Sequence, residues 1–206
     1  MTEEESRAWI ADQFGVSRET MLGRYAAILS EEAERQNLIA ASTLPSLWER
    51  HLVDSAQLIP LAGQCGGKWL DIGSGAGLPG LVVAILTDLR VTLVEPRSKR
   101  VAFLRDATDA LGLSDRVTVQ PSRVESFHPS APAAVVSARA VAGLLQLLSS
   151  AQHCTDSSTI WLLPKGRSAQ SEVEAARRKW HGSFHVEPSL TQPDSGIVVA
   201  KGVRAR

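Results

Sequence analysis

The sequence predicts an α/β fold: a mostly parallel, twisted sheet with helices on both faces, an antiparallel hairpin at its C-terminal end and a helical extension in front. Three observations carry this. From Lys68 onward, short apolar runs alternate with stretches of helical period. The first run leads into a glycine-rich turn, "LDIGSGAGLPG" (residues 70–80). The first sixty residues, in contrast, read as helical throughout.

Taken in order, "TEEESRAWIADQFG" has Thr2 and Glu5 at capping-box spacing and stops at Gly15. Ser17 is the expected cap of the next helix, whose apolar stripe is Met21, Leu22, Tyr25, Ile28 and Leu29. A third helix is expected from about Leu44, with Ser46 and Glu49 at capping-box spacing and Pro60 near its end. "KWLDI" is then a strand, and "LPGLVVAILTD" a helix with Pro79 in its first turn, where proline is tolerated. "RVTLVE" is a second strand, and "SKRVAFLRDATDALGL" a helix closed by Gly112. "RVTVQ", "AAVVSA" and "TIWLLP" are further strands, with a helix from about Val141 to Cys154 between the last two. "SEVEAARRKW" is one more helix, and "FHVEPSL" with "GIVVAKGV" makes the closing hairpin. The expected division is a helical extension over 1–60, packed on a ligand-binding domain over 61–206.

Composition bounds the function. Of the 206 residues, 44% are hydrophobic and 21% charged, as expected of a soluble chain with one sizeable core. No apolar run is long enough to span a membrane, and the acidic start "MTEEESRAWI" lacks a signal-peptide core, so a cytoplasmic location is expected. Cys65 and Cys154 stand far apart and outside any C-x-x-C pair, and are expected to be buried or half-exposed thiols. The histidines lack metal-ligand spacing, so no metal is expected. The net charge of zero hides an asymmetry: residues 1–60 hold five Arg against ten Asp and Glu, and the rest holds the compensating excess of cations. A polyanion would prefer the second part, although the excess is too small for a strong non-specific nucleic-acid binder.

The glycine-rich turn marks the ligand site. In open parallel sheets ligands bind beyond the carboxyl ends of the strands, and glycines let them approach the backbone. From Gly75 the stretch reads G-x-G-x-x-G, the dinucleotide fingerprint, and from Asp71 it reads D-x-G-x-G-x-G. Glu95, at the end of the second strand, can accept from both hydroxyls of a ribose, which suits NAD and S-adenosylmethionine equally. Three features favour S-adenosylmethionine. Asp71 precedes the first glycine, and an acid there suits a cofactor with a cationic end better than a pyrophosphate. The glycine ladder starts at the strand end with Gly73. Glu125 follows the third strand in "SRVESF", well placed for an adenine.

Strand four ends in "VVSARAV", without the [DN]-P-P-[YFW] of amino-group methylation or the Pro-Cys of carbon-5 methylation. Arg139 stands there instead, a fixed planar donor. An acceptor atom with a free lone pair, such as a guanine ring nitrogen, needs no general base, only positioning and desolvation.

The pieces "NLIA", "RHLVDS", "LDIGSGAGLPG", "KRVAFL", "SRVES", "SARAV" and "LLPKG" run from Asn37 to Gly166, within a likeness that covers about Asn37 to Lys201. Together they resemble the bacterial small-subunit ribosomal RNA guanine-N7 methyltransferase family, also called glucose-inhibited division protein B. The resemblance implies a Rossmann-like class I methyltransferase fold. It implies methyl transfer from S-adenosylmethionine to N7 of a guanine in the decoding-region loop of 16S ribosomal RNA, the partner being that RNA within the small ribosomal subunit. By the same likeness Gly73, Leu78, Val124, Glu125 and Arg139 contact the cofactor, as do Asp71, Gly75, Gly77 and Glu95 from the loop reading. Pro164 departs from the family's Leu-Lys-Gly and affects the reach of Lys165. A monomer is expected.

Two other constellations stand out. His51, Asp54 and Ser55 share a helix face with Arg50 beside it. A hydrolase triad cannot be built from one helix, so the alternatives are an Arg50–Asp54 surface ion pair or a face that covers the pocket and holds the target. Arg123, Arg139, Lys165 and Arg167 follow strand ends and are expected to form a cationic rim, with Arg139, His51, Lys165 and Arg123 the candidate catalytic residues. Trp48, Trp69 and Trp161 are expected in the core. A small-molecule methyltransferase and a non-catalytic S-adenosylmethionine-binding regulator remain open.

Overall fold

The computed structural model describes residues 1–64 and 66–206, so the expectation for Cys65 lies outside the described residues. A seven-stranded sheet has the order β3-β2-β1-β4-β5-β7-β6. Its strands are β1 (Lys68–Ile72), β2 (Arg90–Val94), β3 (Val117–Gln120), β4 (Val135–Ala138), β5 (Ile160–Lys165), β6 (Trp180–Pro188) and β7 (Gly196–Ala205). The first five are mutually parallel, and β7 is antiparallel to both β5 and β6, as the closing hairpin requires. The order reverses between β1 and β4, which puts the switch point at the carboxyl end of β1.

Period-2 alternation divides the core between two faces. Trp69 and Leu93 pack on one side with α1 (Glu3–Phe14), α2 (Val16–Ala33), α5 (Gly80–Leu86) and α6 (Ser98–Ala110). Leu70, Ile72 and Val94 pack on the other with α7 (Leu144–Ala151) and α8 (Ala169–Lys179). Trp48, Trp69 and Trp161 are buried as expected, and so is Cys154, whose thiol burial raises to about 11. Ile10, Leu22, Tyr25 and Leu29 join the same cluster as α5, so the N-terminal helices complete the core.

The capping box at Thr2 and Glu5 forms as expected. Ser17 does not cap α2: Gly15, at φ +91°, ends α1 and starts α2 by itself. The third helix also differs. A 3₁₀ turn over Ala41–Ser46, with Pro45 inside it, leads into a π-helical segment Trp48–Val53, then α3 (Asp54–Ala56) and α4 (Leu58–Ala62). Ser46 makes no cap. The carboxylate of Glu3 on α1 instead accepts from the N–H groups of Trp48 (3.0 Å) and Glu49 (3.3 Å). A cap supplied from 45 residues away leaves no local signature. The expected 60/61 boundary falls inside α4. The helix expected from Val141 begins only at Leu144, whose N–H bonds Glu172 Oε2 at 2.6 Å. Trp180 opens β6 rather than ending α8.

Candidate active site

Two clefts meet at the carboxyl ends of the strands. The smaller, about 210 Å³, is lined by Ile72, Gly73, Val94, Arg123, Val124 and Glu125 among others. The larger, about 630 Å³, is lined by Arg50, His51, Asp54, Arg139, Lys165 and the β6–β7 turn. Val141 and Ala142 line both, so one short segment after β4 is their common wall. It starts at Ala140, at φ +55°, a left-handed conformation that is costly for a residue with a Cβ. Lys165 holds it by donating to the Ala142 carbonyl (2.6 Å) and pairing with Glu172 (3.1 Å). Burial works to raise the Glu172 carboxyl, but bonds from Ser168, Leu144 N–H and Lys165 outweigh it and hold it below its usual range.

The glycine loop is packed so closely against its own neighbours that side chains would not fit. Gly73 sits at φ +66°, and a Cβ there would lie 2.6 Å from Val141 Cγ2. Its N–H bonds the carbonyl of Val94 at 2.8 Å, which pins the loop against β2. Glu95 is buried at the end of β2, where its carboxylate accepts from Gly75 N–H and Arg97 N–H, both at 2.9 Å. Each oxygen keeps a lone pair, but the group is 2% exposed and lines neither cleft, whereas its neighbours Val94 and Pro96 line the smaller one.

Asp71 lies beneath the loop rather than in a cleft. It is fully buried, with Oδ1 accepting from Ser137 Oγ (2.6 Å) and Oδ2 from Gly80 N–H (3.3 Å). Ser137 in turn accepts from Trp69 Nε1 at 2.8 Å. Burial raises the Asp71 carboxyl to about 6 against the pull of these bonds. Leu78 is also buried, and Gly75 and Gly77 shape the loop behind Gly73.

Arg139 lines the larger cleft and not the smaller one that holds Gly73, Val124 and Glu125, apart from the other residues with which the resemblance placed it on the cofactor. Its Nη1 donates to Asp54 Oδ2 (3.0 Å) and its Nη2 faces His51 Nδ1 (3.2 Å). Asp54 therefore pairs with Arg139, and the alternative of an Arg50–Asp54 ion pair is replaced by a contact between elements. The hydrogen bonds also fix the state of His51. Thr43 Oγ1 donates to the Ala40 carbonyl (2.7 Å), so it accepts from His51 Nε2 (2.7 Å). That places the proton on Nε2 and leaves Nδ1 to accept from Arg139. Burial, with the charges of Arg139 and Arg50, lowers His51 to about 4, so the ring is neutral near pH 7. A neutral ring with Nδ1 already bonded orients Arg139 and is no proton acceptor in this geometry.

The expected cationic rim divides. Arg139 and Lys165 line the larger cleft and Arg123 the smaller, while Arg167 lines neither and pairs with Asp194 at 3.1 Å, 86% exposed. Two supporting residues escaped the sequence reading. Tyr25, read there as part of an apolar stripe, sends its hydroxyl to the Ala76 carbonyl in the glycine loop (2.5 Å). Gln57, 3% exposed, donates to Asp54 Oδ1 (2.9 Å) and accepts from Leu190 N–H (2.8 Å). The bonds to Ala76 and Leu190 cross between distant parts of the chain, and only the hydroxyl and the amide themselves hinted at them.

The strand order, with β7 antiparallel between β5 and β6, is that of a class I methyltransferase, and the glycine-rich loop and the acid at the end of β2 are compatible with it. Two solved structures share this architecture: the glycopeptide N-methyltransferase MtfA and a methyltransferase from Geobacter sulfurreducens. MtfA aligns with a TM-score of 0.61 at 14% identity over 72% of this chain and 89% of its own. The Geobacter protein aligns at 0.60 and 14% over 86% and 88%. Sequence similarity is far closer. The profile of the family described as rRNA small subunit methyltransferase G matches residues 18–194. Ribosomal RNA small subunit methyltransferase G of Rhizorhabdus wittichii is 52% identical, over 100% of this chain and 95% of its own. Its namesake from Zymomonas mobilis is 43% identical over 100% and 96%. The chain belongs to the rRNA small subunit methyltransferase G family.

Proposed function

We propose that this protein transfers a methyl group from S-adenosylmethionine to N7 of a guanine in the decoding-region loop of 16S ribosomal RNA, acting as a cytoplasmic monomer on the small ribosomal subunit. The observation that carries the reading is the common wall of the two clefts, since methyl transfer needs donor and acceptor side by side. Family membership supplies the class of acceptor. Among the described residues no helix is long and apolar enough to cross a membrane.

The residues present fit the cofactor. Gly73 lines the smaller cleft with no side chain of its own, and Glu95 offers two acceptor oxygens to a ribose at the end of β2. Val124 and Glu125 flank the smaller cleft, where an adenine would lie, and Arg123 closes its exposed rim. Asp71 acts from below by holding Gly80 and, when ionised, by favouring positive charge above the loop. Leu78, Gly75 and Gly77 keep the loop in shape. When bound, S-adenosylmethionine supplies the methyl group as an electrophile on its sulfonium.

The larger cleft would hold the extruded base. Guanine N7 has an in-plane lone pair and no proton, so the protein need not remove one. That fits a neutral His51 whose Nδ1 is already used. Arg139 is the donor aimed into the cleft, held by Asp54 and His51. Lys165 is a positioning residue, because its ammonium fixes the Ala142 wall. Residues 1–60 serve as an extension whose Tyr25, Asp54 and His51 support both clefts.

The test is incubation with methyl-labelled S-adenosylmethionine and small subunits lacking their native methylation. Label should enter the RNA, and Arg139→Ala should reduce it at least tenfold while S-adenosylhomocysteine still binds. Binding without transfer to any subunit preparation would leave the cofactor and remove the acceptor.

A further inference from the structure

The turn between β6 and β7 is tied down more firmly than a hairpin loop at a sheet edge requires. Asp54 Oδ1 accepts from Thr191 Oγ1 at 3.0 Å, and Gln57 bonds Leu190 N–H and Ser189 Oγ (3.3 Å). Asp54, Gln57 and Thr191 are each at most 7% exposed. Buried polar groups of this kind fix one geometry, because any displacement leaves them unpaired. The same Asp54 carboxylate holds Arg139, so turn and arginine share one anchor. On the cleft side of this clamped turn lie Gln192 and Ser195. Among the described residues the Gln192 carboxamide makes one hydrogen bond, from Ser195 Oγ to Oε1 at 3.5 Å, and the residue is only partly buried.

We propose that Gln192 is the specificity-determining residue that reads the guanine in the larger cleft, an inference that rests on the proposed function. N1–H and C6=O of guanine form a lactam, with donor and acceptor side by side. A primary carboxamide carries the complementary pair and can make two hydrogen bonds to it; turned over, it would fit N1 and the amino group of adenine as well, so its choice of guanine rests on the Ser195 hydroxyl that donates to Oε1 and holds one orientation. This edge lies apart from N7, so the attacking nitrogen stays free. Arg139, a donor with no acceptor capacity, favours an oxygen at C6 over the amino group of adenine. The clamp through Thr191 and Gln57 keeps the amide in register with Arg139.

The test compares wild type with Gln192→Ala on small subunits carrying either guanine or adenine at the methylated position. kcat and KM are measured for each, and S-adenosylhomocysteine binding is measured separately. The expected result is a fall in kcat/KM on guanine subunits of roughly 10- to 100-fold. Cofactor affinity should be unchanged, and the guanine-to-adenine ratio should narrow. An unchanged kcat/KM would overturn the proposal. So would a loss of rate with the ratio intact, which would mark a structural role. No label with wild type on either subunit would instead remove the proposed function, and this inference with it.

Discussion

Gly73 and Gly112 have the same φ, +66°, but different surroundings, and this separates backbone strain from ligand loss. A Cβ at Gly112 meets nothing within 4 Å, whereas one at Gly73 lies 2.6 Å from Val141 Cγ2. Gly112→Ala should therefore cost only the left-handed conformation, about 1–2 kcal/mol. Gly73→Ala adds a clash that Val141, 45% exposed, can relieve by swinging outward. That swing moves a side chain lining both clefts, so the damage falls on the site more than on the fold. Each variant should melt roughly 2–8 °C below wild type without ligand. With S-adenosylhomocysteine at a hundred times its wild-type Kd, ligand stabilisation is about 2.7 kcal/mol, or roughly 5–10 °C. Gly112→Ala should keep that shift. If Gly73→Ala weakens binding a hundredfold, only about 0.4 kcal/mol remains. Differential scanning fluorimetry reads both. A full ligand shift in Gly73→Ala would refute the placement of the cofactor on this loop.

Three further outcomes follow from the same geometry. Burial raises Asp71 to about 6, so the native protein keeps this proton to higher pH than the unfolded chain does. Asp71 therefore contributes stability that is lost as pH rises from about 4 to 6, a span of roughly 3 kcal/mol; denaturant titrations of Asp71→Asn should show that dependence flattened. His51, lowered to about 4, should give no inflection in kcat between pH 5.5 and 8. His51→Ala should lower kcat roughly tenfold, and His51→Asn, which can still accept from Arg139, should lower it less; an inflection near pH 6.5 lost in either variant would show a titrating base instead. Tyr25→Phe leaves the Ala76 carbonyl without its buried donor, which should cost about 1–2 kcal/mol by urea unfolding and weaken S-adenosylhomocysteine binding.

The order of elements was legible because strands and helices announce themselves by period. Strands β1 to β5 fall close to the apolar runs, and Gly73 and Glu95 stand at the carboxyl ends of β1 and β2, where their places in the sequence put them. Three helix starts were misplaced, each for a physical reason. Gly15 needs no side chain to begin α2, and α7 starts late because residues 140–143 are occupied as a wall. The segment after Pro45 is capped by Glu3 from another helix. The larger cleft was hardest to read. Asp54 and Arg50 stand at ion-pair spacing on one helix, and only the fold shows that Arg139, 85 residues on, takes the carboxylate. Asp71 reads as a ligand residue from its motif, yet its burial makes it a support. Gln57 and Thr191 carry no motif at all.

N7-methylguanine can be located directly, because alkylation there puts positive charge on the imidazole ring and makes the chain cleavable by aniline after reduction. The measurement is primer extension across 16S RNA from small subunits treated with the protein and S-adenosylmethionine, with and without that cleavage. The expected result is one new stop, at a single guanine of the decoding-region loop, absent without cofactor and lost in Arg139→Ala. Labelled RNA that resists cleavage would mean a different acceptor atom and would contradict base-free transfer to N7.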